Sequence, residues 1–390
     1  MHIAIDASRA TAARRTGTEA YSLHLTRALL ALGAARNRER ADPYRFTLYC
    51  RDVPPPGLFA GAGDTRLSPE LWTLKPIPFP RLWTHVRFAA ALYRAHLPAD
   101  RPAVTFVPAH TLPFVFPGPA VVTVHDLGHR HFPAAHPLGA RLYIDLTTRY
   151  SARRARYILA DSACTRRDLT ALYGIDGRKV HIVYPGVDPG LAPVRDEAAL
   201  AAVRARYHIP GPYLLHVGSI QPRKNLLRLV EAYAEWLPGA APRRYLVLAG
   251  ARGWLYEDIL VAVCREGLEG WVRLPGYVDE ADIAALYSGA DAFVFPSLYE
   301  GFGFPVLEAM RCRVPVVCAN TSSLPEVAGD AALLIDPLDT AALTQALSRI
   351  TSDAALRAQL VEKGVAQSAR FTWERAAAQT LDILEAAARA

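Results

Sequence analysis

The chain has 390 residues, 51% of them hydrophobic and 21% charged, with a formal net charge of +7. This length excludes a single domain of ordinary size, and the composition predicts compact domains with sizeable cores. Residues 1–190 carry 25 Lys and Arg against 14 Asp and Glu, giving +11, whereas the remainder carries 19 against 23, giving −4. The basic half favours a membrane surface, a phosphorylated acceptor or nucleic acid as partner, or it is ordinary solvated surface.

Short apolar runs in the first half predict strands, and the stretches between them predict helices such as Ala20–Leu32 and Leu82–His96. Several runs lack inside/outside alternation, which is typical of strands buried on both faces of a parallel sheet. Asp52–Pro80 is rich in Pro and Gly and is predicted to be a long surface loop. The predicted strands are His2–Asp6, Phe46–Cys50, Val104–Val107, Val121–Val124, Tyr157–Ala160 and His181–Val183.

The second half repeats the alternation of strands and helices. Two successive alternations predict an α/β protein with two doubly wound domains. We place the boundary after Asp188, with a first domain over 1–188, a second over 189–372, and a C-terminal helix over 373–390 that packs back on the first. The predicted strands are Tyr213–Val217, Tyr245–Ala249, Val272–Leu274, Ala292–Phe295 and Val314–Cys318, and the helices are Leu226–Glu235, Glu280–Ser288 and Pro305–Arg311.

Cysteine usage and hydropathy indicate the compartment. The five cysteines are scattered, no pair has C-x-x-C spacing, and we expect buried free thiols in a reducing compartment. The N-terminus leads directly into a strand, without the pattern of a signal peptide, and no segment has the pattern of a transmembrane helix. These features predict a cytoplasmic protein, with peripheral contact at the inner face of the membrane as an open possibility.

The most informative segment follows the predicted strand Ala292–Phe295. Gly301 and Gly303 allow a sharp turn, and Pro305 suits the first turn of a helix whose N-terminus would bind phosphate. Glu300 and Glu308 would lie on either side of that phosphate, where carboxylates accept hydrogen bonds from hydroxyls. The pattern favours a nucleotide-sugar, although an ordinary turn with a first-turn acid is the simpler alternative.

A second strand–loop–helix turn, Gly218–Asn225, carries two adjacent cations. Arg223 and Lys224 would neutralise a diphosphate and stabilise it as a leaving group. An Arg-Lys pair in a loop is usually solvated when it occurs alone. Combined with the Glu300–Glu308 segment, it indicates a donor site for a nucleotide-diphosphate sugar.

These motifs resemble those of glycosyltransferase family 4, which has the GT-B fold. The Gly-Phe-Gly-Phe-Pro turn between the two glutamates and the Arg-Lys-Asn loop match, and so do Val121–Leu127 and Thr372–Arg375. The resemblance covers nearly the whole chain and implies two Rossmann-like domains facing across a cleft. It also implies a retaining transfer, in which the acceptor attacks on the face from which the nucleotide leaves and the departing phosphate takes the acceptor's proton.

The family resemblance assigns roles in the second domain. Arg223 and Lys224 would bind the diphosphate, and Glu308 would bind the ribose. Glu300 would hold the transferred sugar together with the backbone of the following turn. The remaining predicted donor-binding positions are Gly218, Ser219, Gly301, Phe302, Gly303, Phe304 and Val306, with Tyr277 and Val278 near the base.

In the first domain, which the resemblance assigns to the acceptor, His125 would contact the donor sugar near the reacting carbon. Asp126 would orient His125 or cap the next segment, and both roles stay open. His110 is a weaker candidate, since it lies among prolines. The loop Thr16–Glu19 departs from the paired glycines of relatives, and only Gly17 matches, so a donor contact is predicted there alone.

No cofactor or metal is expected, since the chain contains no Asp-x-Asp motif and no cluster with zinc spacing. Nucleic acid is not an expected partner, because no recognised nucleic-acid motif accompanies the basic charge. Neither glutamate is placed as a covalent nucleophile. We expect leaving-group charge to be stabilised by the cation pair and the helix N-terminus.

The acceptor is predicted to be a glycan, a lipid-linked molecule or a small molecule. Leu82–His96 and Ala140–Tyr157 combine aromatics with arginines, which is typical of helices on anionic membranes and also of helices that bury one apolar stripe. We expect the buried stripe, and membrane contact stays open.

Three functions are weighed. The first is glycosyl transfer, with GDP-mannose as the first donor candidate, because the Thr-Val-His-Asp-Leu and Pro-Arg-Lys-Asn sequences resemble those of mannosyltransferases of surface-polysaccharide or lipid-linked glycan assembly. UDP-glucose and UDP-N-acetylglucosamine remain alternatives. The second is a nucleotide-sugar epimerase, and the third is a non-catalytic nucleotide-sugar binding protein. A dehydrogenase is poorly supported, since no G-x-G-x-x-G follows the first strand.

Overall fold

A computed structural model describes residues 1–12, 15, 17–59, 71–79, 82–97, 101–133, 137–251, 253 and 256–389. The chain divides into two compact units. The first comprises Met1–Arg130, Pro137–Gly186 and Phe371–Ala390, and the second comprises His131–His136 and Val187–Arg370. The unit limits at Gly186 and Phe371 lie close to the predicted boundary after Asp188 and the predicted helix start at Trp373.

The first unit is built on a parallel sheet with seven strands in its described residues. Their spatial order is β3-β2-β1-β4-β5-β6-β7, so the order reverses between β1 and β4. Val122, Val124 and Ile158 are among the fully buried residues of its core. The strands are β1 (His2–Asp6), β2 (Arg45–Cys50), β3 (Trp72–Pro76), β4 (Val104–Val107), β5 (Ala120–Val124), β6 (Tyr157–Ala160) and β7 (Val180–Ile182).

The second unit repeats this architecture with a parallel sheet that has six strands in its described residues. The order β10-β9-β8-β11-β12-β13 reverses between β8 and β11. Ligands of doubly wound sheets bind beyond the carboxyl ends of the strands at such a reversal. The loops after β8 and β11 are therefore the expected site. The strands are β8 (Tyr213–Val217), β9 (Tyr245–Ala249), β10 (Val272–Gly276), β11 (Ala292–Phe295), β12 (Val316–Ala319) and β13 (Ala332–Ile335).

Helices connect the strands and cover both sheets. Leu229, Val230 and Tyr233 form the buried face of α7, at the one-turn spacing of an amphipathic helix. The prediction of two doubly wound parallel sheets is confirmed. The helices are α1 (Gly17–Asn37), α2 (Ala89–Ala95), α3 (Gly128–His131), α4 (Leu138–Arg154), α5 (Ala163–Tyr173), α6 (Glu197–Arg206), α7 (Leu226–Trp236), α8 (Tyr256–Arg265), α9 (Glu280–Ser288), α10 (Phe304–Arg311), α11 (Leu324–Ala328), α12 (Thr340–Ser352), α13 (Ala354–Ser368) and α14 (Trp373–Arg389).

Several local predictions were wrong. The predicted loop Asp52–Pro80 contains the edge strand β3, whose half-exposed residues form no apolar run. The strand β13 was not predicted, and the helix predicted over Leu82–His96 starts as a π-helix at Trp83–Phe88 before α2. Cys264 is exposed, whereas the other four cysteines are buried free thiols as expected. In the part of the chain that the structure describes, no helix is both long and apolar enough to cross a membrane.

The predicted buried stripe is present in one basic helical region and absent from the other. Trp83, Phe88 and Leu92 are buried, as expected for the π-helix and α2. In α4 the expectation was wrong, because Leu142 and Leu146 are exposed. The face of α4 turned to the core consists instead of small and polar residues, Thr147, Thr148, Ser151 and Ala152.

Candidate functional site

Two cations and one carboxylate form a buried cluster at the reversal of the second sheet. Lys224 Nζ lies 2.5 Å from Glu300 Oε1, and Arg223 Nη1 donates to Glu300 Oε2 at 2.8 Å. Burial opposes the charged form of Glu300, but the charges of Arg223 and Lys224 outweigh it and lower the pKa of this carboxyl. Glu300 is therefore ionised, and the cluster has one positive charge in excess.

The loop that carries the cations is held against the loop after β11. A 3₁₀ turn over Pro222–Lys224 ends at Asn225, whose φ of 58° is left-handed. Asn225 Nδ2 donates to the carbonyls of Pro296 at 3.2 Å and Pro337 at 2.6 Å, and the amide of Leu298 donates to Arg223 O at 2.8 Å. These bonds fix the positions of Arg223 and Lys224 relative to Glu300.

A glycine forms the entrance to α10. Gly303 is the N-cap with a φ of 105°, and a Cβ at this position would lie 2.7 Å from Leu324 Cδ2. Ser323 Oγ, from the loop after β12, lies 2.9 Å from Glu300 O and 2.8 Å from Phe302 O. These contacts hold the backbone of the turn that precedes α10. The helix itself has no side-chain cap at its positive N-terminal end.

Glu308 lies one turn into α10 in surroundings opposite to those of Glu300. Tyr287, from α9, donates its hydroxyl to Glu308 Oε2 at 2.9 Å. Burial, with a smaller contribution from the charge of Asp188, raises the pKa of Glu308 to about 7. The two glutamates belong to one segment but differ in charge near neutrality. Sequence reasoning did not identify Tyr287, because it belongs to another helix.

Tyr277 and Val278, the residues predicted to contact the base, follow β10, which is the edge strand next to β9. The amide of Gly218 donates to Ala249 O at 2.9 Å, and that of Gly250 donates to Gly276 O at 2.8 Å. The ends of β8, β9 and β10 are therefore joined side by side. Tyr277, which follows Gly276, is 44% exposed.

The structure thus groups the predicted positions of the second unit along one edge of its sheet. Gly218 and Ser219 lie at the end of β8, and Val278, which is buried, follows β10. The positions after β11 and at the start of α10 are Gly301, Phe302, Gly303, Phe304 and Val306.

A buried histidine, His216, lies beneath the cation loop and was missed by sequence reasoning. Its ring stacks 5.4 Å from that of Phe295, and its Nδ1 lies 3.1 Å from the carbonyl of Val294. Burial, reinforced by the charge of Lys224, lowers the pKa of His216 to about 3, so the ring is neutral. With Nδ1 as donor, Nε2 is an acceptor. In the sequence, a histidine inside an otherwise apolar strand was the feature that could have identified this residue.

In the first unit, His125 forms a buried pair with an aspartate. Its Nδ1 lies 2.7 Å from Oδ2 of Asp161, the residue after β6, and its Nε2 lies 3.3 Å from Pro108 O. Tyr21 of α1 packs edge-on against the ring at 4.7 Å. Burial opposes the charged ring, but the Asp161 carboxylate outweighs it and raises the pKa of His125. Sequence reasoning missed Asp161 because 35 residues separate it from His125.

Two other predicted residues of the first unit, Asp126 and His110, lie beside His125. Asp126 Oδ1 accepts from the amide of Gly128 at 2.8 Å, which is the predicted capping role, whereas Asp161 is the residue bonded to His125. The ring of His110 lies 5.2 Å from that of His125, and burial lowers the pKa of His110 to about 3. Gly17 is the exposed first residue of α1, and Thr16 lies outside the described residues.

Among the residues that the structure describes, no group of three or more His, Cys, Asp or Glu side chains is arranged to hold a metal ion. The two clusters differ in chemistry. The second unit offers cations, a helix N-terminus and a titratable carboxyl. The first offers a histidine with its position and protonation set by a buried carboxylate.

Two family models match the chain. Residues 15–191 match the family described as Glycosyltransferase Family 4, and residues 206–367 match Glycosyl transferases group 1. The O-antigen chain mannosyltransferase B of Escherichia coli is 37% identical over 266 residues, which are 67% of this chain and 69% of that protein.

Solved structures share the fold at low sequence identity. Sucrose-phosphate synthase from Thermosynechococcus elongatus aligns over 98% of both chains with a TM-score of 0.74 and 23% identity. HepE from Anabaena, determined in complex with UDP-glucose, aligns over 98% of this chain and 99% of its own with a TM-score of 0.71 and 18% identity. At these identities the likeness concerns the fold.

Proposed function

Because this chain belongs to glycosyltransferase family 4 and has the GT-B fold, we propose that it is a retaining, metal-independent enzyme that uses a nucleotide-diphosphate sugar. The acceptor is a hydroxyl of a glycan, a lipid-linked molecule or a small molecule. The cytoplasm is the proposed compartment, since four of the cysteines are buried free thiols.

The buried cluster of Arg223, Lys224 and Glu300 is the observation that carries this proposal. A diphosphate gains negative charge as it leaves the sugar, and preorganised cations stabilise that charge best in a site with little water. The single carboxylate compensates one cation and leaves one positive charge for the ligand. The uncapped N-terminus of α10 adds backbone N–H groups next to the cluster.

The reaction then needs no covalent enzyme intermediate. The bond between the anomeric carbon and the phosphate oxygen breaks while the acceptor oxygen bonds to the same carbon on the same face. The acceptor's proton passes to the departing phosphate oxygen. Glu300 is a poor nucleophile in this arrangement, because each of its oxygens already accepts a hydrogen bond from a cation.

The residues of the site divide the binding of the donor. Arg223 and Lys224 hold the diphosphate. Glu308 binds the ribose, and Glu300 binds the transferred sugar together with the turn that follows it. His125 acts near the reacting carbon, with its ring fixed by Asp161.

GDP-mannose is the proposed donor, and polysaccharide assembly is the proposed process. The support is the relative in Escherichia coli, which is described as an O-antigen chain mannosyltransferase. The complex of HepE with UDP-glucose supports a UDP-sugar as the second candidate. An epimerase would isomerise the donor without an acceptor, and a binding protein would show no turnover. The mannosyltransferase relative favours transfer over both.

A thermal-shift panel of nucleotide-sugars tests the donor. A ligand that binds the folded state raises its apparent stability, so GDP-mannose should give the largest rise in Tm. A shift with UDP-glucose or UDP-N-acetylglucosamine, and none with GDP-mannose, would refute the mannose proposal. Isomerised donor without release of nucleotide diphosphate would identify an epimerase.

Turnover of Lys224→Ala tests the diphosphate site. We expect kcat to fall by about 100- to 1,000-fold, measured as release of nucleotide diphosphate with acceptor present. Lys363→Ala is the matched control, because this lysine forms an exposed ion pair with Asp330 in the same unit. Near-normal turnover of Lys224→Ala would remove this lysine from the diphosphate site.

A further inference from the structure

A cavity of about 580 Å³ in the first unit is lined mainly by β2, β3, the π-helix and α2. Ala91 and Ala95 of α2 are part of the lining, and their small side chains leave this space open. The volume is in the range of sites that bind small molecules. The sheet reverses between β1 and β4, and no residue of the His125 cluster is among the described lining residues. The cavity is therefore a separate feature of the first unit.

The charges that line this cavity all have the same sign. Its described lining includes four Lys and Arg side chains and no Asp or Glu, the cations being Arg45, Lys75, Arg87 and Arg94. Lys75, Arg87 and Arg94 form no ion pair with any residue that the structure describes. Cations gathered around one concave space repel one another and attract an anion into it. The lining thus favours a negatively charged ligand.

Two buried polar groups of the lining have no partner in the described part of the chain. Tyr49 is only 2% exposed, yet its hydroxyl forms no hydrogen bond with another described residue. Arg87 Nε is shielded from water and likewise has no hydrogen-bond partner. Burial raises the pKa of Tyr49 to about 12, so the hydroxyl stays protonated and can donate. Because buried polar groups are nearly always hydrogen-bonded, these two donors indicate a bound molecule.

The chemistry of the lining specifies this molecule. Lysine and arginine side chains only donate hydrogen bonds, so the ligand must offer several acceptor oxygens together with negative charge. The planar fork of an arginine matches the oxygens of a phosphate, and three cations without ion pairs suit a dianion better than a single carboxylate. The cavity is larger than one phosphate needs. Trp72 and the ring of Tyr49 add apolar surface for an organic body, and the hydroxyls of Thr47 and Thr73 add polar contacts.

We propose that this cavity is a binding site for a sugar phosphate. Lys75, Arg87 and Arg94 hold the phosphate group, and the Tyr49 hydroxyl donates a further hydrogen bond to it. The sugar lies against Trp72. This site goes beyond the sugar transfer and does not depend on it. It gives part of the positive charge of the first 190 residues, +11 in total, a specific ligand.

Isothermal titration calorimetry of the full chain, without donor or acceptor, tests the cavity with mannose 6-phosphate as the probe. Mannose should bind at least about 10-fold more weakly than mannose 6-phosphate, because it lacks the anion. Tyr49→Phe removes only the hydroxyl and should raise the Kd of mannose 6-phosphate by about 10-fold, the value of one hydrogen bond to a charged group. Arg94→Ala should raise it by about 5-fold, because water and salt screen this exposed cation.

Arg167→Ala is the matched control, since Arg167 is an exposed arginine of α5 in the same unit and does not line the cavity. It should bind mannose 6-phosphate like wild type. Lys224→Ala should do so as well, which separates this cavity from the proposed donor site. Circular dichroism verifies the fold of each variant.

Three results would overturn the proposal. The first is the absence of mannose 6-phosphate binding to wild type. The second is unchanged binding in both Tyr49→Phe and Arg94→Ala, above all if Lys224→Ala loses it, because the ligand would then occupy the donor site. The third is a Kd for inorganic phosphate equal to that for mannose 6-phosphate, which would mean that the cavity does not recognise a sugar.

Discussion

Glu300 and Glu308 share a sequence motif, but their side chains experience opposite electric fields. Two cations within 2.8 Å lower the pKa of Glu300, whereas burial raises the pKa of Glu308 to about 7. Glu300 therefore keeps its charge over the whole physiological range, and Glu308 changes charge within it. The sequence predicts that both residues are acids in the donor site, but it cannot predict this difference, which arises from the burial of Glu308, the charge of Asp188 and the cations beside Glu300.

Donor affinity should fall with acidification through Glu308. Only the ionised carboxylate accepts hydrogen bonds with both oxygens, and because its pKa is raised to about 7, this form is lost as the pH falls through neutrality. Between about pH 8 and about pH 6 the donor Kd should rise by about 10-fold, since the competent fraction falls by that factor. Isothermal titration calorimetry across this range measures the effect. Glu308→Gln should bind more weakly with a flat profile, and an unchanged slope in that variant would show that another group titrates.

Asp161 is a positioning residue for His125, and Asp161→Asn tests this role. The aspartate counteracts burial and raises the pKa of His125. Without its charge, burial should lower that pKa below the ordinary value for histidine, which an NMR titration of the ring protons measures. The other titratable groups beside the His125 ring are Asp126, His110 and Tyr21, and this variant leaves all three in place.

Turnover should respond to the same variant. We expect kcat to fall by about 10- to 100-fold with little change in the donor KM, because the ring loses its fixed orientation. Asp168→Asn, in α5 of the first unit, is the control and should keep wild-type turnover. An unchanged pKa of His125 in Asp161→Asn would contradict the positioning role, whatever the activity.

At the scale of single elements, the donor segment was predictable because local rules determine it. A buried strand, two glycines and a proline at the first helical turn follow one another in the sequence, and β11 and α10 begin and end close to the predicted residues. The orientation of α4 was not predictable in this way. Its leucine spacing is that of an ordinary core stripe, and only the packing of Ser151 and Ala152 against the sheet reveals that the leucines are directed outward.

Gly303→Ala should distort the entrance to α10. The φ of 105° is strained for any residue with a side chain, and the new Cβ would clash with Leu324 Cδ2 at 2.7 Å. We expect a loss of about 1–3 kcal/mol of stability and weaker donor binding, measured by chemical denaturation and calorimetry. Gly139→Ala is the control, since nothing lies within 4 Å of a Cβ there. If Gly303→Ala binds donor like wild type, the turn is not rigid enough to shape the phosphate site.

At the scale of the whole molecule, the repeated alternation of strands and helices predicts two sheets. In the described residues both have the same reversal and the same order over six strands, and the first sheet has one further strand, β7, at its edge. Contacts between distant segments do not follow from any such pattern. The ring of His131, which precedes α4, stacks 4.4 Å from that of Tyr299 and belongs to the second unit. No local signal marks that pairing, because its partners are 168 residues apart.

The C-terminal helix should stabilise the first unit selectively. α14 packs on α1, buries Leu384 completely, and forms 3.0 Å ion pairs from Asp382 to Arg36 and from Glu385 to Arg40. Leu384→Asp would place a charge in this apolar contact and should cost about 3–5 kcal/mol. Differential scanning calorimetry should show the transition of the first unit at lower temperature, while the second unit keeps its donor-dependent rise in Tm.

Asp382→Ala separates packing from charge in this contact. Asp382 is 65% exposed in its side chain, so loss of its ion pair should change stability by less than about 1 kcal/mol. Limited proteolysis then identifies the weakened unit, because cleavage in Leu384→Asp should begin within Met1–Arg130 or Pro137–Gly186 and spare Val187–Arg370. Simultaneous cleavage of both units would mean that they unfold as one cooperative body, and α14 would then stabilise the whole chain rather than its first half.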